Sequence, residues 1–128
     1  MIRRIEIDKS GGMLLLLGTR GAEEWFDFRP VPPVRIEPLQ DPLIPLSDYI
    51  RLCRKNSDFE VLNYRPSRRL VVRESNSGNS TILKGFRRGR SSPYALKYEL
   101  ARSALDGGTA SAAKVLENNR DHDFLRFE

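Results

Sequence analysis

Histidine and cysteine are nearly missing from this chain: His122 and Cys53 are the single examples of each in 128 residues. One cysteine excludes an internal disulfide framework and suits a reducing compartment, so a cytoplasmic location is expected. One histidine and one cysteine cannot build a His/Cys zinc cage within the chain. Serine–histidine catalysis would have only His122 to draw on. The D-x-D-x-D-G pattern of a calcium loop is absent. Long apolar runs are absent too: Met13–Leu17 is the longest, far short of the roughly 20 residues a membrane helix needs. No membrane partner is expected. Met1–Ile7 alternates charged and apolar residues, which is not the pattern of a signal peptide. No internal repeat is visible.

The hydrophobic fraction is 39% and the charged fraction 30%, the balance of a globular domain able to bury one core. The net charge of +5 is unevenly spread. Residues 1–64 carry nine basic and ten acidic side chains, and residues 65–128 carry thirteen and seven. Between Arg65 and Arg90 eight basic residues (Arg65, Arg68, Arg69, Arg73, Lys84, Arg87, Arg88, Arg90) meet one acid, Glu74. Such a stretch is either a solvated basic face or an anion-attracting one, with phosphate the natural anion.

Pattern along the chain predicts an α+β fold in two parts. In the first, residues 1–56, Ile2–Asp8, Met13–Leu17 and Glu24–Arg29 read as three strands of a meander, with turns at Lys9–Gly12 and Gly18–Gly21. Trp25, Phe26 and Phe28 read as core. Pro30–Pro45 holds six of the eight prolines, which strip N–H donors and predict an extended connection over a surface. It is a linker or, alternatively, a ligand for an SH3-like groove. Leu46, Tyr49, Ile50 and Leu52/Cys53 then fall at helical spacing over Leu46–Arg54, with Ser47-Asp48 as capping residues.

In the second part, residues 57–128, the order is β-β-β-α-β-β, an antiparallel sheet with one packed helix. The strands are Phe59–Tyr64, Leu70–Glu74, Thr81–Phe86, Lys114–Glu117 and Phe124–Phe127. Arg65–Arg69 is a tight turn, Ser75–Ser80 a flexible loop and Asn118–Asp121 a polar turn that extends into Asp121-His-Asp123. The helix runs from Ser91-Ser-Pro93, with Ser92 as cap, to about Leu105, and Gly107-Gly108 ends it. Tyr94, Tyr98, Ala101 and Leu105 form one apolar stripe on it, and Leu96, Leu100 and Ala104 a second, so both sides are expected to be covered.

Lys84 on the third strand and Glu99 on the helix are placed to meet as an ion pair. A lysine so fixed can neutralise the phosphate oxygens of a nucleotide. Glu99 can equally pair with Arg102 on its own helix.

The segments V-L-N-Y-R-P-S-R-R-L-V-V-R, T-I-L-K-G-F, Y-A-L-K-Y-E-L-A, A-K-V-L-E and D-F-L-R-F-E together resemble the N-terminal lobe of the aminoglycoside phosphotransferase-like family. That family shares the protein-kinase-like fold and includes choline kinases and maltokinases. The resemblance covers roughly Phe59–Glu128. It implies that Lys84 binds the α- and β-phosphates of ATP and that Glu99 orients it. It also implies that the turn bearing Ser67 and Arg68 lies over the phosphates, and that Val72, Leu83 and Val115 line the adenine pocket, with Phe127-Glu128 at the hinge. The turn lacks the family's G-x-G-x-x-G pattern, so Ser67 and the arginines would replace its backbone cradle. The residues preceding the lobe match maltokinase-like N-terminal extensions in position only.

Neither H-x-D-x-x-x-x-N nor a later D-x-D or D-F-G segment occurs in the 128 residues. The resemblance therefore implies a lobe that is inactive alone, ending where a C-terminal lobe would begin, with that lobe as its partner and Mg²⁺ bound only in its presence. Whether the chain is an enzyme in its own right is left open. An open face would favour a homodimer. The alternatives are a small basic nucleic-acid-binding module, the less favoured partner because no RNA-binding signature is present, and a protein-interaction module.

Overall fold

The computed structural model describes residues 2–7, 13–19, 22–105 and 113–128. The expected turns at Lys9–Gly12 and around Arg20-Gly21, and the Gly107-Gly108 helix stop, lie outside the described residues. Two compact units are formed, Met1–Glu37 and Pro38–Glu128. No described helix is long and apolar enough to cross a membrane.

The first unit is an antiparallel sheet of β1 (Ile2–Ile7), β2 (Met13–Thr19), β3 (Ala22–Asp27) and β4 (Val34–Ile36), in that order. Leu14 and Trp25 are buried in it. The expected three-stranded meander gains its fourth strand from the proline-rich stretch. The gap between Pro33 and Pro38 is free of proline and pairs with β3 through Trp25↔Ile36 and Asp27↔Val34. An edge strand tolerates flanking prolines because its outer donors have no ladder to serve. Arg35 reinforces the pairing by reaching Glu24 at 2.9 Å and Glu37 at 3.0 Å.

The second unit begins at Pro38, not near residue 57 where the composition changes, because the helix α1 (Leu46–Cys53) belongs to its core. Ile44, Leu46 and Ile50 are fully buried. The first helical residue follows Pro45, and no side chain caps it. The Ser47 hydroxyl, expected to cap, turns back to the carbonyls of Asp41 and Ile44, each at 2.9 Å. The stretch preceding α1 is therefore packed rather than draped: Asp41, Ile44 and Pro45 are buried.

The sheet consists of β5 (Asp58–Arg65), β6 (Arg69–Asn76), β7 (Asn79–Phe86), β8 (Val115–Asn119) and β9 (Phe124–Phe127). All neighbours are antiparallel, in the order β5-β6-β7-β9-β8. The helix α2 (Ser91–Leu105) connects β7 to β8. The flexible loop expected over Ser75–Ser80 is reduced to a two-residue turn. β6 and β7 stay paired through Asn76↔Asn79, and Ser77 and Gly78 take φ values of 50° and 82°. Two residues with positive φ match the twist of the strands they join.

The pleat gives the sheet two buried faces. Leu70, Val72, Leu83, Gly85 and Phe124 share one face by register. Gly85 lies against α1: a Cβ there would come within 2.7 Å of Leu46. Ile82, Phe86, Leu125 and Phe127 share the other face, where Ala95, Tyr94 and Tyr98 of α2 pack with Val115. The second apolar stripe of α2 is not covered: Leu96 and Leu100 are 56% and 61% exposed. The helix rests on a single surface, and that surface takes the tyrosine side. The N-terminus of α2 is also closed differently from expectation. Asp123 accepts from the Ser91 hydroxyl at 3.1 Å, while the Ser92 hydroxyl accepts from the Asn118 amide at 3.3 Å.

Candidate functional site

Lys84 occupies the middle of β7, opposite Val71 on β6 and Leu125 on β9. The pleat turns it to the α2 face with Ile82 and Phe86. Its ammonium donates a 2.8 Å hydrogen bond to the Tyr98 hydroxyl and lies 5.5 Å from the centre of that ring. The ring is itself held edge-on against Phe127, with centroids 4.9 Å apart. The lysine is thus fixed by strand on one side and helix on the other, and half-buried.

The expected partner, Glu99, does not meet it. Glu99 is exposed, and among the described residues no ion pair joins it to Lys84. Glu99 lies one turn beyond the buried Ala95 and on the same side of the helix, but every α2 residue from Glu99 to Leu105 is exposed, so that turn stands past the part of the helix that packs on the strands. Tyr98 was visible in the sequence only as part of an apolar stripe. Its hydroxyl was the overlooked signal, because a buried tyrosine ring needs a partner for that group.

The other expected site residues divide between the two faces. Val115 lies with Lys84, packed on the Phe86–Leu125–Phe127 cluster. Phe127 is part of that cluster, and Glu128 is exposed. Val72 and Leu83 are cross-strand partners buried on the opposite face, so they cannot line a pocket around Lys84. The apolar neighbours on its own face include Val71, Ile82 and Leu125.

Ser67 and Arg68 form the β5–β6 turn, where Ser67 has φ 57°. The Ser67 N–H is already engaged, donating to Asp41 Oδ2 at 2.6 Å. Its carbonyl accepts from Arg87 Nε. Asp41 Oδ2 also accepts from the Tyr64 hydroxyl at 2.8 Å, and Oδ1 from the Leu43 N–H at 3.0 Å. The turn is clamped from the α1 side, and the backbone of Ser67 is not free to cradle an anion. The Arg68 side chain is exposed. Nothing in the sequence marked Asp41, which stands among prolines.

A second polar centre occupies the far end of the α1 face. Arg126 Nε meets Glu117 at 2.9 Å, and its terminal nitrogens reach Glu74, Thr81 at 2.9 Å and Tyr49 at 2.9 Å. Burial alone would lower the Arg126 pKa. The bonds to Glu117 and Glu74 outweigh it and hold the guanidinium above its usual range. Burial pushes the Tyr49 hydroxyl up to about 12, against the bond from Arg126. An open depression of about 380 Å³ lies beside this network, lined by Glu74, Asn76, Ser77, Asn79, Thr81 and Arg126. With each Arg126 nitrogen bonded within the protein, it serves as a clamp for β6, β9 and α1.

Among the described residues no group of three or more His, Cys, Asp or Glu side chains is arranged to hold a metal ion. Asp121-His-Asp123 is the polar turn between β8 and β9. The His122 N–H donates to Asn119 Oδ1 at 3.0 Å, and its ring lies against Tyr49, centroids 5.8 Å apart.

In comparisons with known proteins, no family model, no curated protein and no solved structure matches the chain.

Proposed function

We propose that the second unit is the nucleotide-binding lobe of an ATP-dependent small-molecule phosphotransferase, similar in fold to the kinase-like lobe of aminoglycoside phosphotransferases. The observation that carries this reading is Lys84. It stands mid-strand beside the packed helix, on the helix-bearing face, with its ammonium held by Tyr98. The strand arrangement supports it. Two hairpins lead to the lysine strand, a helix follows, and β9 returns to lie beside β7.

A fixed ammonium offsets phosphate charge without first losing side-chain entropy. In this reading Lys84 holds phosphate oxygens of ATP, and Val71, Ile82 and Val115 supply apolar contacts on the same face. Tyr98 takes the orienting place expected of Glu99. Arg68 is the member of the β5–β6 turn that can meet phosphate through its side chain, since Ser67 is engaged by Asp41 and Arg87. Phosphoryl transfer also needs an aspartate beside the acceptor hydroxyl and carboxylates for Mg²⁺. Neither motif is present in these 128 residues, so a second lobe supplying them is part of the proposal.

The test is binding of a fluorescent ATP analogue, with Mg²⁺, up to millimolar concentration. Lys84→Ala is expected to weaken binding about tenfold, the loss of one charge-assisted contact worth ~1.5 kcal/mol. Tyr98→Phe is expected to weaken it more than Glu99→Gln. No binding by the native chain, or equal binding by a folded Lys84→Ala variant, would overturn the reading.

A further inference from the structure

Six arginines gather at one end of the five-stranded sheet. Arg65, Arg68 and Arg69 come from the β5–β6 turn, and Arg87, Arg88 and Arg90 from the segment after β7. The pairing Arg69↔Phe86 sets the two segments side by side. Arg87 ties them together through Ser67.

What sets this end apart is how many arginines without an ion pair it gathers. Elsewhere in the unit, Arg51 pairs with Asp48, Arg73 with Glu60, and Arg126 with Glu74 and Glu117, while Arg54 and Arg102 stand singly with no ion pair among the described residues. At this end, among the described residues, no ion pair engages Arg68, Arg69, Arg87, Arg88 or Arg90. Arg87 meets only the neutral carbonyl and hydroxyl of Ser67. Arg69 lies 5.9 Å from the centre of the Tyr94 ring and Lys97 lies 5.0 Å from it. That ring is stacked on Phe86, with centroids 4.4 Å apart. Of the acids nearby, Asp41 and Asp123 are buried and engaged by Leu43, Tyr64, Ser67 and Ser91, which leaves Asp121 exposed in the β8–β9 turn. Arg68, Arg88 and Arg90 are exposed.

Exposed like charges carried on two adjacent loops match an anion whose charges are strung along a chain. An aromatic ring flanked by cations adds a surface on which an unpaired base can stack. We propose that this end of the sheet binds single-stranded nucleic acid. Arg68, Arg88 and Arg90 contact successive phosphates, while Tyr94 and Arg69 present the stacking surface. The proposal goes beyond the nucleotide reading of Lys84 and does not rest on it.

The experiment is fluorescence anisotropy of the whole chain with a labelled single-stranded oligouridylate across a salt series. Each phosphate contact contributes about 0.7 to the slope of log affinity against log salt. The variant Arg68→Gln/Arg88→Gln/Arg90→Gln should therefore flatten the slope by about 2 and weaken binding at least tenfold at low salt. Arg51→Gln/Arg54→Gln/Lys55→Gln removes the same charge from the end of α1 and should change affinity less than about twofold. Equal losses in the two variants, or no native binding, would overturn the proposal. So would equally effective competition by polyglutamate, which would show that charge alone is recognised, or equal affinity for a duplex of the same length.

Discussion

Asp41 serves donors from three segments at once. It stands where proline leaves few backbone donors, yet its carboxylate accepts from Leu43 N–H, the Tyr64 hydroxyl and Ser67 N–H. Removing it leaves buried donors without an acceptor, which costs about 1–3 kcal/mol. Asp41→Ala should lower the urea midpoint accordingly, and Asp41→Asn, which keeps one acceptor oxygen, should lower it less. Tyr49 gives a second expectation. Its hydroxyl pKa is raised from 10.0 to about 12, first through burial. A raised folded value favours the neutral form, so its stabilising effect is complete below pH 10 and is lost as pH climbs towards 12. In a spectrophotometric titration Tyr49 should ionise late, and Tyr49→Phe should reduce the late-ionising amplitude by one tyrosine. At this scale the sequence revealed the lysine but not its partner. Lys84 stood out because apolar residues surround it on a strand. Choosing Tyr98 over Glu99 requires knowing which part of α2 packs on the strands, which Ala95, Phe86 and Phe127 set from distant parts of the chain.

At the scale of the element, strand and helix types followed from local pattern, and their faces did not. Leu70, Val71 and Val72 are consecutive and apolar, so alternation cannot say which of them turns to α1 and which to α2. The sheet is covered on both sides, and Val72 and Leu83, which the resemblance set in a pocket with Lys84, lie on the face opposite to it. The short strand β4 was hidden for a related reason: three residues between prolines carry too little pattern, and only pairing with β3 makes them a strand. The contact of α1 with β7 depends on a missing side chain. An added methyl at Gly85 would lie 2.7 Å from Leu46 Cβ and Cδ2 and 3.2 Å from Ile44 Cγ2. Gly85→Ala should therefore destabilise the chain by about 1–3 kcal/mol, the usual cost of overpacking. An unchanged urea midpoint would mean that α1 is not seated on β7.

For the molecule as a whole, the charge asymmetry read from composition becomes a spatial one in the second unit. The ion-paired Arg126 holds β6, β9 and α1 together at one end of the sheet, and at the other, among the described residues, no ion pair engages Arg68, Arg69, Arg87, Arg88 or Arg90. Composition could not separate these two populations, because pairing depends on which carboxylates the fold brings near. The same sheet divides by face as well. The α1 side is closed by packing and by the Arg126 network, and the α2 side carries Lys84. The central claim is that a nucleotide meets the α2 side. The most direct measurement is a titration of the isotope-labelled chain with Mg-ATP, followed by amide chemical shifts. The account predicts shifts largest at Val71, Lys84 and Tyr98 and smaller at Glu74, Thr81 and Arg126. Shifts centred on the Arg126 depression, or none at millimolar nucleotide, would contradict it.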